Sequence, residues 1–523
     1  MIYGDALSLQ RKRRQTIDLL LLGFATACAL TFFGWALTSA DISQAAMLVV
    51  ALLVLPLGAV LIWRSPIVAL YGSFICAVMV ESNRLGAGLS LTDRIPAFVD
   101  IQSFLPLRGV ILTPIECLAF GCIVILLLKK RLTLRGGPLI APFGVLLAVL
   151  VLGVFRGHEA GGDLKIALWG VRSLFLMFAV YLLTVNLIKT PAQARLLLGM
   201  FLVGAAAKGA IGLWRYVVDF HGQVQTSDTG VAGNALMEHE ESFFFLIVLL
   251  FVVVAFAFGL SKRDKRLALI SSAFVLIPFL ANQRRVAIAA LILCIVTLAI
   301  VIYVFESSRR RGLVKLVSFA AVVLCLYGAW GWSSTSLVAT PVQAVKSTFE
   351  PNQRDASSND YRKIEDADLR ATAKTDPLLG VGFGLKIQQA QPLPDISDTY
   401  TWYLYLPHNG YLWLGMTTGL LGLVAFEYVM GSAVLKSVAA IAATAEQREM
   451  RALYVLSLLS IVAFSVFVLL DQGILSDRLA IFVGAQMGLL ALAPAFMAET
   501  HSTPGMAHAS ETAKQKGIAS AAY

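Results

Sequence analysis

Apolar runs long enough to cross a bilayer dominate this chain, and no other feature restricts its fold as much. Fourteen can be drawn, at residues 17–38, 44–63, 66–80, 110–128, 138–155, 166–188, 196–218, 242–260, 267–281, 286–305, 313–332, 410–435, 452–470 and 479–497. A hydrocarbon core takes about 20 residues of helix and offers no partner to a bare backbone, so each run reads as a membrane helix. The expected fold is an all-α integral membrane protein of about 14 transmembrane helices. Composition agrees, with 58% of the 523 residues hydrophobic and only 14% charged, against about 25% charged in soluble domains. A soluble multidomain enzyme, a disordered chain and a secreted disulfide scaffold are excluded. Cys28, Cys76, Cys117, Cys122, Cys294 and Cys325 all lie in apolar runs, so they read as small buried side chains rather than a disulfide or zinc framework. The first run is long and closely followed by a second, unlike a cleavable signal.

Net charge is +10, which in a membrane chain points to basic cytoplasmic loops before nucleic acid. With the N-terminus inside, the compact clusters Arg11–Arg14, Lys129–Arg131, Lys262–Arg266 and Arg309–Arg311 all fall on the cytoplasmic side. The chain then divides into helices over 1–332, a large outer loop over 333–407, helices over 408–497 and a disordered cytoplasmic tail over 498–523. The loop carries 7 basic and 9 acidic residues, so it is no nucleic-acid patch. Within it, Ser358 to Thr375 reads as a helix with Asn359 or Asp360 near its N-cap, ended by Asp376-Pro377. Gly380, Gly382 and Gly384 then call for a tight turn. The runs 66–80 and 267–281 are only 15 residues each, which leaves the tip after 267–281 recessed.

Ionisable groups inside a bilayer are costly and carry a functional hypothesis first. Arg172, Arg215, Arg284, Arg285 and Arg478 fall near outer helix ends. A ring of guanidinium forks at one depth suits a diphosphate. Arg215 and Arg478 taken singly read better as interfacial anchors, and Lys208 has Glu116 as a candidate partner. His408, in Pro407-His408-Asn409-Gly410-Tyr411-Leu412, sits where the outer loop enters a helix and can act as a general base. Glu238-His239-Glu240-Glu241 is a second cluster, but consecutive residues point different ways, so metal binding is not expected there. No cofactor or metal site is expected elsewhere.

The stretch Pro377-Leu378-Leu379-Gly380-Val381-Gly382-Phe383-Gly384, then His408-Asn409-Gly410-Tyr411-Leu412 and Gly419-Leu420-Leu421-Gly422, resembles the O-antigen ligase and polymerase superfamily. Asn282-Gln283-Arg284-Arg285-Val286-Ala287 resembles the family's arginine motif at a periplasmic helix end. The resemblance covers about 165–425. Two adjacent arginines stand where the family usually has one, and Glu238–Glu241 stands in place of its typical His-Pro-Asn-like stretch. These departures lean toward a polymerase of exopolysaccharide or O-antigen and away from a lipid A–core ligase. The resemblance implies a periplasmic lid and metal-independent glycosyl transfer from an undecaprenyl-diphosphate-linked glycan in the bacterial inner membrane, with chain-length regulators and flippases as protein partners. It implies catalysis by His408 with Arg284 or Arg285, and substrate contacts from Arg172, Arg215, Arg478, Asn409, Tyr411 and Gly382. Asn409 would fix the His408 ring, and the Gly382 turn would let backbone approach the glycan. A ligase using the same site and a flippase for lipid-linked sugars are the alternatives. Charges gathered at the outer side and a long outer loop favour chemistry there over passage through the bilayer.

Overall fold

The structure, a computed structural model, describes residues 58–82, 92, 95–103, 111–133, 137–222, 236–398 and 400–501. The expected span at 17–38, residues 44–57 of that at 44–63, Cys28 and the tail beyond 501 lie outside these residues. Among the described residues every regular element is a helix. In chain order they are α1 (Ile67–Met79), α2 (Pro114–Leu128), α3 (Ile140–Glu159), α4 (Leu164–Leu187), α5 (Pro191–Trp214), α6 (His239–Ala257), α7 (Lys262–Ala281), α8 (Arg285–Phe305), α9 (Arg310–Gly331), α10 (Thr340–Phe349), α11 (Gln353–Ala373), α12 (Gly410–Ala443), α13 (Arg448–Leu470), α14 (Asp477–Ala491) and α15 (Ala493–His501).

Eight helices among the described residues are long and apolar enough to cross a membrane: α3 to α6, α8, α9, α12 and α13, with short extensions at α5 and α9. The chain is thus an all-helical membrane protein. Eleven of the twelve other expected runs each coincide with one helix, 479–497 is divided between α14 and α15, and boundaries move. α7 starts at Lys262, where Ser261 caps it by accepting from Asp264 N, so it has 20 residues and is not short. α11 starts at Gln353, capped by Asn352 through the Asp355 amide. The expected caps Asn359 and Asp360 are therefore interior to it. Helix α10 was not anticipated.

Helices α4, α6, α13 and α14 form the centre. Small residues allow the closest contacts, as in other lipid-embedded bundles: a Cβ on Gly484 of α14 would meet Met177 O of α4 at 2.4 Å. In contrast α9 buries no residue of its apolar window. Among the cysteines, Cys122 and Cys294 are buried as expected, whereas Cys117 and Cys325 are exposed on helix surfaces, and all five described thiols are free.

The glycine turn has the expected geometry but another purpose. Gly380, Gly382 and Gly384 all take positive φ. Phe383 N donates to Gly153 O, and a Cβ on Gly382 would lie 2.2 Å from Gly157 N. The turn is wedged against the end of α3, so the space a glycan would need beside Gly382 is filled by Gly157 backbone. Arg156 clamps the same junction, donating to Asp376 at 2.5 Å and to Gly380 O at 3.0 Å.

Candidate active site

The hairpin between α7 and α8 is built by four consecutive residues. Asn282 closes α7 and fastens the tip to the start of α6, accepting from Met237 N at 3.1 Å and donating to Glu238 O at 3.0 Å and Ser242 Oγ at 2.8 Å. Gln283 takes φ +48, which reverses the chain. Arg284 and Arg285 then open α8. Arg284 Nη2 donates to Met237 O at 3.4 Å, and Arg285 Nη2 donates to Asn359 Oδ1 of α11 at 3.0 Å. The two arginines face a cavity of about 540 Å³ between this tip and the loop helices α10 and α11, with Lys346, Arg362 and His239 also on its wall.

Helix α11 presents two faces to the site. Asp355, Ser358 and Arg362 line the cavity alongside the Asn359–Arg285 bond. Tyr361, Glu365, Asp368 and Thr372 recur at helical spacing about a quarter turn away and hold the segment that ends at His408. Thr372 Oγ1 accepts from Gln388 N at 3.0 Å, and Asp368 Oδ1 accepts from Ala390 N at 2.9 Å. Glu365 Oε2 accepts from His408 N at 3.0 Å, and His408 Nδ1 lies 3.2 Å from both Glu365 oxygens. The carboxylate side chain is 1% exposed and the imidazole 25%. A buried carboxylate thus holds one ring nitrogen, leaving Nε2 for chemistry. The Tyr361 and Tyr400 rings pack edge-on against the imidazole, 5.8 and 6.5 Å away. Burial, then the Glu365 charge, pushes the Tyr361 phenol up, so it remains a protonated donor.

Several expected roles are corrected by these contacts. Asn409 does not fix the His408 ring: its Oδ1 accepts from Leu412 N at 3.0 Å and caps α12, and Glu365 holds the ring instead. Tyr411 packs edge-on against Phe426 at 5.7 Å, off the cavity wall. Arg172 has two acidic neighbours, Asp100 at 2.8 Å and Asp477 at 3.4 Å, brought in from distant sequence. Arg478 is wholly buried, binding Glu238 at 2.8 Å, Glu241 at 2.7 Å and Ala77 O at 2.8 Å. It is neither an interfacial anchor nor open to a substrate. Arg215 is 3% exposed, tucked into a π-helical turn after α5, and so is not an anchor either. Lys208 pairs with Glu81 and Glu241 rather than Glu116, because Glu116 closes a capping box with Thr113. The Glu238, Glu240 and Glu241 carboxylates converge to within 4.8 Å of one another, contrary to expectation, because Arg478 draws two of them to itself.

Of the expected arginines, then, Arg284 and Arg285 line the cavity, while Arg172 belongs to a half-buried ion network and Arg478 to a fully buried one. Glu365 was missed, although the recurrence of Tyr361, Glu365, Asp368 and Thr372 in a polar helix was visible. The arginine tip, the cavity helices, the glycine turn and His408 all fall in one stretch, and residues 267–426 match the family model described as O-antigen ligase. That stretch of the chain is similar to the O-antigen ligase family. No curated protein matches the chain. The matched stretch runs from within α7 into α12, and the match supports glycosyl transfer of the ligase and polymerase type in general.

Proposed function

We propose that this protein transfers a glycan from an undecaprenyl-diphosphate-linked oligosaccharide at the periplasmic face of the bacterial inner membrane, joining repeat units of an exopolysaccharide or O-antigen. The observation that carries the reading is the pairing of two chemistries around α11. One face meets a cavity with Arg284 and Arg285, and the adjacent face carries a buried Glu365 that holds His408. In this reading the arginines neutralise the departing diphosphate, whose charge grows in the transition state. His408 takes the proton of the acceptor hydroxyl, and Glu365 stabilises the imidazolium that forms. The loop helices α10 and α11 cover the donor and restrict water, which would otherwise hydrolyse it. With guanidinium groups supplying the positive charge, the transfer is proposed to need no metal, so activity should survive a chelator.

Purified protein given a defined lipid-linked repeat unit should produce a ladder of polymers, and His408→Ala should abolish it at normal protein level. A second reading is favoured by the description of the matched family: ligation of finished chains to a lipid acceptor. Cells lacking the protein separate the two. Loss of a polymerase leaves single repeat units, whereas loss of a ligase leaves full-length lipid-linked chains.

A further inference from the structure

The cavity wall, which His408 and Glu365 do not line, carries a histidine–carboxylate pair of its own that none of these roles uses. His239 opens α6, and its Nδ1 is hydrogen-bonded to Asp471, the residue that closes α13. The Asp471 side chain is 7% exposed and that of His239 42%. The geometry repeats that of His408 and Glu365: a buried carboxylate holding Nδ1 of a partly open ring. Burial alone would raise the Asp471 carboxyl, but the adjacent His239 ring and Arg362 outweigh it and hold the group well below the usual carboxylate range. Arg362 is tied to the same spot, donating from Nη1 to Leu470 O at 2.6 Å. His239 shares the cavity wall with Arg284 and Arg285. With Nδ1 engaged, Nε2 is the ring nitrogen left for the cavity's contents.

We propose that His239, oriented by Asp471, binds the donor's diphosphate through Nε2, completing an anion site with Arg284 and Arg285. This rests on the glycosyl-transfer reading above and names the ligand chemistry as a diphosphate ester. In the step itself the acceptor oxygen bonds to the sugar C1 as the bond from C1 to the phosphate oxygen breaks. The hydroxyl proton passes to His408, and the diphosphate leaves as its anion; in this step His239 is the imidazolium, with Nδ1–H on the Asp471 carboxylate and Nε2–H donating to the anion. The two histidines therefore divide the reaction, one on the entering hydroxyl and one on the leaving group. Asp471 is a positioning residue.

The alternative is a purely structural tie between α6 and α13, and substitution chemistry separates the two. His239→Asn keeps an amide where Nδ1 meets Asp471 but has nothing at the Nε2 position, and His239→Gln does the reverse. Binding of inorganic pyrophosphate and of undecaprenyl diphosphate to full-length protein in nanodiscs should weaken about tenfold in His239→Asn, with unchanged melting temperature, and stay near wild type in His239→Gln. Wild-type binding in His239→Asn would overturn the assignment. If Arg285→Ala weakens pyrophosphate binding while His239→Asn does not, the His239 proposal fails and the reading of the site survives. If the wild-type protein binds neither ligand, both fall.

Discussion

Glu365 decides what His408 can do. A lone histidine at the mouth of a helix can play many parts, but one held at Nδ1 by a 1%-exposed carboxylate is poised to pick up a proton at Nε2. Glu365→Gln keeps the shape and removes the charge, so product formation should fall about 100-fold while donor binding stays intact. Equal loss in both measurements would assign Glu365 to folding instead. Arg478 makes the opposite case. Its removal strands Glu238 and Glu241 in the interior, so Arg478→Ala should cost about 3–5 kcal/mol of stability, read by thermal unfolding in detergent. A stable Arg478→Ala protein that had lost only donor binding would restore Arg478 to the site. The tie between charge and role was not legible in sequence, because Arg172 and Arg478 meet their carboxylates across 72 and 240 positions.

At the scale of elements, α11 is the part that organises the site. The sequence places a helix in the outer loop but begins it five residues late, at Ser358 with Asn359 or Asp360 as its cap, whereas Asn352 caps it. The Gly380–Gly384 turn was legible as a turn, since only glycine adopts its positive φ values easily. What it packs against was not. Gly382→Ala combines an unfavourable φ of +101 with a contact at 2.2 Å, so it should destabilise by at least about 2 kcal/mol and reduce the amount of folded protein. Gly121→Ala is the control: a Cβ there meets nothing within 4 Å, and alanine should stabilise α2 by about 0.5–1 kcal/mol. Comparable losses in the two variants would contradict the wedge between this turn and α3.

For the whole molecule, the arrangement expected from charge makes a direct prediction. Lys363 on α11 and Lys262 at the start of α7 are both exposed. If the arginine tip and His408 face the periplasm, then in a cysteine-free background Lys363→Cys should react with a membrane-impermeant maleimide in spheroplasts. Lys262→Cys should react only after the membrane is permeabilised. Reversed labelling would invert the topology and remove the periplasmic site. The structure also agrees with helices that alternate in direction: the end of α1 and the starts of α6 and α14 meet at one point, where Arg478 binds Ala77 O, Glu238 and Glu241.

Sequence alone determined that this is a helical membrane protein, because an apolar run of helical length has one stable solution in lipid, and that solution is local to the run. It also singled out Arg284, Arg285 and His408, since a helix end and a loop mouth are local features too. Only the tertiary structure decided which charges remain available for a substrate. Ion pairing is a property of distance in space, and a few ångströms separate Arg478 and Glu238 where the chain puts 240 positions between them. The same folding that drew Arg172 and Arg478 into ion pairs brought Glu365 to His408 and Asp471 to His239, and so converted two ordinary histidines into oriented ones.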